Sequence, residues 1–402
     1  MRWLNFLHLY QPANIDSFNF KLATDKSYYR LLRLMEENQS LKMTWNITGC
    51  LLERLEIEGE LDFIKRIKLL VSGGRLELVS SAAYHPLLPL IPSAEAIKQI
   101  KENEIILKKF FGKNLKLEGF FLPEMAYSPA VAKLIKALGY KWLIVDELAF
   151  DGGQSRPDFR RLYQDKHSGL TLIFRNRYFS NSYPPDKLTQ EIKEHKFNRT
   201  INFEQEKIII TATDAELYGL RHKDQSGELE KIVKQENLST ETISEFINRL
   251  KLKKVTPINV AAQACSWETN KADIKNKEPF KLWQSKKNKI HFRLWKLTSL
   301  ALSMENYFSE DSNYYWYRWH LVRGLASCNF WWASAHDFSK VFGPYAWSPD
   351  AIERGLEDLI RAFRSLNSKK SKRYKLQAEK EYLKIKKLIW EEHWKKHWRP
   401  SF

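Results

Sequence analysis

The stretch LEGFFLPEMAYSPAVAKLIKALGYKWLIVDE, residues 117–147, holds a complete strand–helix–strand unit. Its opening run, Leu117 to Leu122, is apolar and aromatic and stops at Pro123. Ser128 followed by Pro129 reads as an N-cap with proline at the first helical position, where the missing N–H costs nothing. Apolar residues then recur at helical spacing as far as Gly139, a stop signal. A second apolar run, Lys141 to Val145, ends on Asp146 and Glu147. Two strands joined this way run parallel, with the helix outside them. Directly after the proline stands Glu124. It is either a solvated loop residue or an acid carried to the end of a strand, and one strand alone does not decide.

Working outward, the pattern repeats. Further strands are expected near Trp3–His8, Lys42–Ile47, Arg75–Ser80, Thr171–Phe174 and Lys207–Thr213, which makes seven. Helical patterns separate them: YYRLLRLMEEN, LLERLEIEGELDFIKRIKLLVSGG with its closing glycine pair, and SAEAIKQIKENEIILKKFFG with Ser93 as its N-cap. Seven parallel strands alternating with helices suit a barrel or near-barrel, in which chemistry collects at the C-terminal ends of the strands. The residues at those ends are His8 and Gln11, Asn46, His85, Glu124, Asp146 and Glu147, Arg175 and Arg177, then Asp214, Glu216 and His222. Loops are polar in any case, but titratable groups at nearly every strand exit favour the functional reading of Glu124.

The second half reads as helices: ISEFINRLKL, FRLWKLTSLALSMENYF, YWYRWHLVRGLASCNFWWASAHDF and the segment from Pro349 to Trp398. The expected organisation is a barrel with its closing loops over residues 1–279 and a helical bundle over residues 280–402. The loop-rich segment 258–291 is a candidate cover for the barrel mouth.

The chain has 402 residues, 43% hydrophobic and 28% charged, as expected of a globular protein with a large core. No apolar run is long enough to cross a bilayer, and the N-terminus lacks the cleavage pattern of a signal peptide. Cys50, Cys265 and Cys328 have no metal spacing and fit buried thiols in a reducing cytoplasm. The formal charge of +18 is enriched in the last helices. No nucleic-acid-binding motif accompanies it, so it reads as a lysine-rich solvated face rather than a nucleic-acid footprint. Trp390, Trp394 and Trp398 recur every fourth residue and are expected to pack against the body. Oligomeric state is not readable.

Glu124 and Asp214 both follow apolar runs that end at the expected barrel mouth. A carboxylate pair is what glycoside hydrolysis requires, and in the retaining mode the two lie about 5–5.5 Å apart. The chain carries 14 Trp, 17 Tyr and 23 Phe. Most belong to the core, but Trp267, Trp331 and Trp332 sit beside polar, loop-like positions and are candidate platforms for a sugar ring.

These residues carry a resemblance. HLYQP (8–12), GRLELVSSAAYHPLLPLIP (74–92), GFFLPEMAYS (119–128) and TATDAELYGLRH (211–222) stand in the order of four motifs of glycoside hydrolase family 57 and span roughly residues 1–225. The family consists of retaining enzymes that act mainly on α-glucans. The resemblance implies an incomplete, TIM-like (β/α)7 barrel followed by a C-terminal helical domain. It places the nucleophile on Glu124 and the acid/base on Asp214. His8 and His85 would then hydrogen-bond sugar hydroxyls, as would Gln11. Asp146, Arg175 and His222 would contact sugar or orient the carboxylates. Glu216 would support Asp214 or its turn, and Gly219 would permit that turn. Trp267 and Trp332 remain the platforms. No metal or other cofactor is implied, and the partner is an α-glucan or oligosaccharide. Asp214 must be protonated at rest, which calls for a pKa raised by burial or by the Glu124 charge. The sequence departs from the family where Tyr10 replaces the histidine of the first motif. The best candidate for a fifth motif is NFWWASAHDF, with Trp332, His336 and Asp337. The chain is also shorter than expected for a branching enzyme or a pullulanase.

Four alternatives accompany this reading: a 4-α-glucanotransferase, in which transfer outruns hydrolysis; a polysaccharide deacetylase, which needs a metal site that is not visible in the sequence; a sugar-binding barrel without catalysis, which both carboxylates argue against; and a nucleic-acid-binding protein built on the basic helices, which steep salt dependence would reveal.

Overall fold

The computed structural model describes residues 1–194, 206–336 and 346–398. Asp337 and the other expectations that fall between or beyond these ranges lie outside the described residues. The fold is α/β, with helices mixed among parallel strands. The strands are β1 Arg2–Leu9, β2 Met43–Ile47, β3 Leu76–Val79, β4 Gly119–Phe121, β5 Trp142–Asp146, β6 Tyr163–Asp165, β7 Thr171–Arg175, β8 Ile208–Asp214, β9 Ser239–Thr240 and β10 Ile258–Val260. Each of the seven expected runs is a strand.

One sheet has the order β3–β2–β1–β8, with β9 alongside β1, and the other has the order β10–β6–β7–β5–β4. The sheets meet at two places. Ser80, just beyond β3, bridges Phe120 of β4 in parallel. Beyond β7, the Asn176 N–H donates to the Ile210 carbonyl of β8 at 2.7 Å. β1, β2, β3, β4, β5, β7 and β8 therefore follow one another in a parallel succession. Their residues are almost all buried, which is why they read as continuous apolar runs. Side chains from six of these strands, among them Phe6, Val79, Phe121, Ile144, Ile173 and Ile210, converge in one apolar cluster with the helix Ile243–Leu252. Gly119 shows how tight the packing is, since a Cβ there would fall inside the Trp142 indole.

The chain divides into two compact units. The first comprises residues 1–11, 15–83 and 88–267 and contains every strand named above. The second comprises residues 12–14, 84–87 and 268–402. Its helices are Lys271–Lys275, Lys289–Glu305, Tyr314–Gly324, Ser327–Trp331, Pro349–Ser365 and Lys372–Glu392. Among the described residues no helix is long and apolar enough to cross a membrane.

Several local readings need correction. The stretch expected as one helix from Leu51 to Gly74 is two, Gly49–Ile57 and Leu61–Ser72, broken where Gly59 takes a φ of 84°. Ser128 caps its helix by accepting from the Val131 N–H, but Ser93 is the first helical residue rather than the cap. Trp394 and Trp398 are 57% and 52% exposed instead of packed. Trp390 donates its indole N–H to Glu353 at 2.6 Å, and Trp394 stacks on Trp390 at 6.3 Å. β6, β9 and β10 were not foreseen. They have two or three residues each, too few for alternation to register.

Candidate active site

β4 delivers Glu124 through Leu122 and Pro123. Glu124 and Met125 both take left-handed backbone conformations, with φ of 60° and 49°. Each such residue costs about 1–3 kcal/mol and persists only where its surroundings dictate it. Here the surroundings do. Met125 is fully buried in the core cluster, and its N–H donates to the Leu122 carbonyl at 2.7 Å. Tyr127 and Cys265 exchange main-chain hydrogen bonds at 2.8 and 3.3 Å. That pairing brings Trp267 alongside. Its N–H donates to the Glu124 carbonyl at 3.1 Å, and its indole N–H donates to Glu124 Oε2 at 2.8 Å.

Trp267 is fixed in turn by Arg175. Arg175 Nη2 donates to the Trp267 carbonyl at 2.9 Å, and the guanidinium lies 5.7 Å from the indole centroid. Arg175 is itself held by Asp146, Nε to Oδ2 at 2.8 Å. The other oxygen of Asp146 accepts from Arg177 at 2.9 Å and from the Leu148 N–H at 3.0 Å. Asp146 has no exposed surface. Asp146 thus holds Arg175, Arg175 holds the Trp267 carbonyl, and the Trp267 indole N–H donates to Glu124.

Across β1, β2 and β8 a polar row forms. His8 on β1 is in register with Asn46 on β2 and with Asp214 on β8. Asn46 Oδ1 accepts from His8 Nδ1 at 2.8 Å, which leaves Nε2 as the basic nitrogen of a neutral ring. Burial lowers the His8 pKa to about 4, so the ring is neutral at physiological pH. Its face stacks on Phe121 with centroids 4.5 Å apart, and Trp267 approaches edge-on at 6.0 Å. His8 thus lies between the strand that ends in Asp214 and the aromatic support of Glu124.

Asp214 Oδ2 accepts from Arg221 Nη1 at 2.6 Å, and the Arg221 side chain is 60% exposed. The charges of Asp214 and Glu216 hold the guanidinium above its ordinary pKa, against the effect of its own desolvation. Glu216 is buried. It accepts from Gln11 Nε2 at 2.7 Å and, in a short bond, from the Tyr28 hydroxyl. Burial, and secondarily the Asp214 charge, push its pKa up to about 7. Gly219 makes the following turn with a φ of 127°. A Cβ there would overlap the Lys26 carbonyl, which lets the segment after Asp214 lie flat on the turn that carries Tyr28.

His222 stands apart from this group. It stacks on Tyr183 at 4.0 Å and lies 3.9 Å from Asp186. His85 and Trp332 belong to the second unit. The His85 ring pairs with Ser327 Oγ at 2.9 Å, and Trp332 meets Trp331 edge-on at 4.9 Å. The first unit therefore gathers His8, Gln11, Glu124, Asp146, Arg175, Asp214, Glu216 and Trp267. It adds Tyr28, Asn46 and Arg221, to which the sequence reading gave no role. Arg221 was visible in TATDAELYGLRH, seven residues after the carboxylate it binds. Asn46 was visible as a strand-end residue. Nothing local marks Tyr28, which arrives from a π-helical turn 188 residues before Glu216.

The sequence matches the model of glycosyl hydrolase family 57 over residues 4–261. An alpha-amylase of Pyrococcus horikoshii is 26% identical over 230 residues, which are 54% of this chain and 34% of that protein. The chain thus spans about a third of the length of that relative. The crystal structure of 4-alpha-glucanotransferase from Thermococcus litoralis superposes with a TM-score of 0.68 at 20% identity, covering 91% of this chain and 60% of that one. A branching enzyme from Thermococcus kodakaraensis superposes at 0.66 and 16% identity, covering 96% and 95%. These likenesses show a common fold.

Proposed function

Because the chain belongs to glycosyl hydrolase family 57, we propose that it is a retaining enzyme acting on α-linked glucans or oligosaccharides, with Glu124 as nucleophile and Asp214 as acid/base. The observation that carries this reading is the gripped carboxylate. Glu124 is aimed by a left-handed turn and by the Trp267 indole N–H, while His8, in register with Asp214, stacks on Phe121, the last residue of the strand that leads to Glu124. Glu124 attacks the anomeric carbon as its glycosidic bond breaks, and Asp214 gives the leaving oxygen its proton. Water, or a sugar hydroxyl, then loses a proton to Asp214 and displaces Glu124. For Asp214 to donate, the Arg221 contact must open, and the exposed guanidinium is the arm that leaves. His8, a neutral ring, is the assigned contact for a sugar hydroxyl, and Glu216, held by Gln11 and Tyr28, steadies the turn after Asp214.

The parallel succession of seven strands supports an incomplete (β/α)7, TIM-like barrel, joined between β7 and β8 by the Asn176 bond. The catalytic domain is assigned to residues 1–279 and the helical bundle to residues 280–402. The compact units change over at Trp267 and Glu268, inside the loop-rich segment. Cys50, Cys265 and Cys328, none of them in a disulfide, fit a reducing cytoplasm. Both hydrolysis and 4-α-glucan transfer remain open, since the relatives above are named for either.

The test is maltoheptaose incubated with wild type, Glu124→Gln and Asp214→Asn, scored for new reducing ends and for longer oligosaccharides. Activity in wild type alone, with all three folded, is the expected result, and the product ladder separates hydrolysis from transfer. Undiminished turnover in either variant would overturn the assignment of that residue.

A further inference from the structure

We propose that the exposed face of the helix Tyr314–Gly324 is a second carbohydrate-binding surface, a row of aromatic rings that takes an uncharged glucan chain. The proposal rests on the α-glucan reading above. The helix reads YYWYRWHLVRG, and of its five aromatic residues Tyr317 is the fully buried one. Tyr315 and Trp316 are 67% and 51% exposed. They place two large rings side by side on the exposed face of one helix.

The rings are pre-arranged. Tyr315 meets Trp316 at 5.2 Å and Trp316 meets Trp319 at 6.0 Å, both edge-on. The Arg323 guanidinium lies over the Trp319 ring at 3.5 Å and reaches the Tyr84 ring at 5.1 Å. Residues 316, 319 and 323 share one helix face, so the row runs along the helix axis. Arg323 in turn anchors this end of the helix on the buried Tyr84 ring.

The charges on this helix are already committed. Arg318 pairs with Glu305 at 2.9 Å, His320 faces Asp358 at 3.4 Å, and Arg323 donates to the Trp319 carbonyl at 2.8 Å while stacked on its ring. In a chain of net charge +18, this face offers rigid aromatic planes rather than spare cations. Such planes suit the C–H faces of pyranose rings, with Tyr hydroxyls and indole N–H groups at their rims for sugar hydroxyls. They suit phosphodiesters and anionic lipids poorly.

The test is native gel electrophoresis of the full chain through gels with and without amylose, in a Glu124→Gln background so that the polymer survives. Trp316→Ala and Tyr315→Ala/Trp316→Ala are compared with the parent, and Trp316→Phe serves as the conservative replacement. The dissociation constant for amylose is expected to rise about tenfold in the alanine variants, and far less for maltotriose, with Trp316→Phe near the parent. If wild type degrades amylose and the alanine variants migrate like their parent, the surface is refuted and the active site stands. If wild type neither degrades amylose nor is slowed by it, the α-glucan reading fails and the surface with it. Sedimentation that shows a dimer dissociating on Trp316→Ala would make this face a self-interface, which also refutes the proposal.

Discussion

Replacing Arg175 with methionine separates two jobs that one side chain performs. Arg175 is 5% exposed and Asp146 is fully buried, so the pair sits where water is excluded. Methionine fills much of the volume but donates nothing. The carbonyls of Trp267 and Ala212 lose their guanidinium donors, at 2.9 and 3.1 Å, and Asp146 loses one of two arginines. Removing one partner of a buried pair costs about 3–5 kcal/mol. Arg177 and the Leu148 N–H remain on Asp146, which puts the expected loss near the lower bound, about 3 kcal/mol. Adding Asp146→Leu removes the stranded carboxylate and should bring the total back to about 1–2 kcal/mol. Activity should not return with it. In both variants the Trp267 carbonyl is unheld, so the indole N–H that grips Glu124 loses its anchor. Urea unfolding followed by tryptophan fluorescence gives the stabilities, and maltoheptaose turnover gives the activities. A single variant within about 1 kcal/mol of wild type would refute the buried-pair argument. A double variant that recovers turnover along with stability would refute the positioning of Trp267 by Arg175.

Trp267→Phe keeps a ring but removes the N–H on Glu124 Oε2; a hydrogen bond to a charged group contributes about 1.5–3 kcal/mol to stability, so the melting temperature should fall accordingly, and kcat/KM should fall about tenfold or more as the carboxylate loses its aim. An unchanged rate would mean that Glu124 is aimed by its backbone alone. Glu216 has its pKa raised from 4.5 to about 7, so across that window the folded chain holds a proton that the unfolded chain releases. Stability contributed by this group is therefore full below the window and is lost as pH rises through it, and Glu216→Gln should flatten the decline in melting temperature between pH 5 and about 8. An equally steep decline in the variant would place the proton elsewhere. Gly219→Ala forces a Cβ against the Lys26 carbonyl at a φ that disfavours side chains, and should cost upwards of about 2 kcal/mol together with most of the activity. A soluble variant melting like wild type would show that this turn can relax.

Much of the first unit was legible because parallel strands covered on both faces leave unbroken apolar runs, several of which end abruptly at a proline or a charge. Pro123 and Asp214 are such ends, and the carboxylate pair could be read from them. What could not be read was reach. Trp267 was seen as a flat ring for sugar, but its indole N–H is bound to an acid 143 residues earlier. That contact depends on the Tyr127–Cys265 pairing, which leaves no periodic trace. Gly59 was read as part of a longer amphipathic pattern, because hydrophobic spacing continues in phase across the break. Trp394 and Trp398 keep helical spacing but face solvent, since spacing places residues on one side of a helix without saying which side is covered.

The second unit is assembled from three separate pieces of chain, residues 12–14, 84–87 and 268–402. Its last helices leave the ribosome long after its first fragment. Tyr84 and His85 are translated more than 200 residues before Arg323 and Ser327, the groups they pack against. Until then these two short loops have nowhere to go. A nascent chain paused after Trp267 would carry all its strands and still leave the ring of Tyr84 without its cation and the imidazole of His85 without its hydroxyl. The helical portion can therefore be neither trimmed off nor transplanted as a cassette, because part of it is written into the loops of its neighbour.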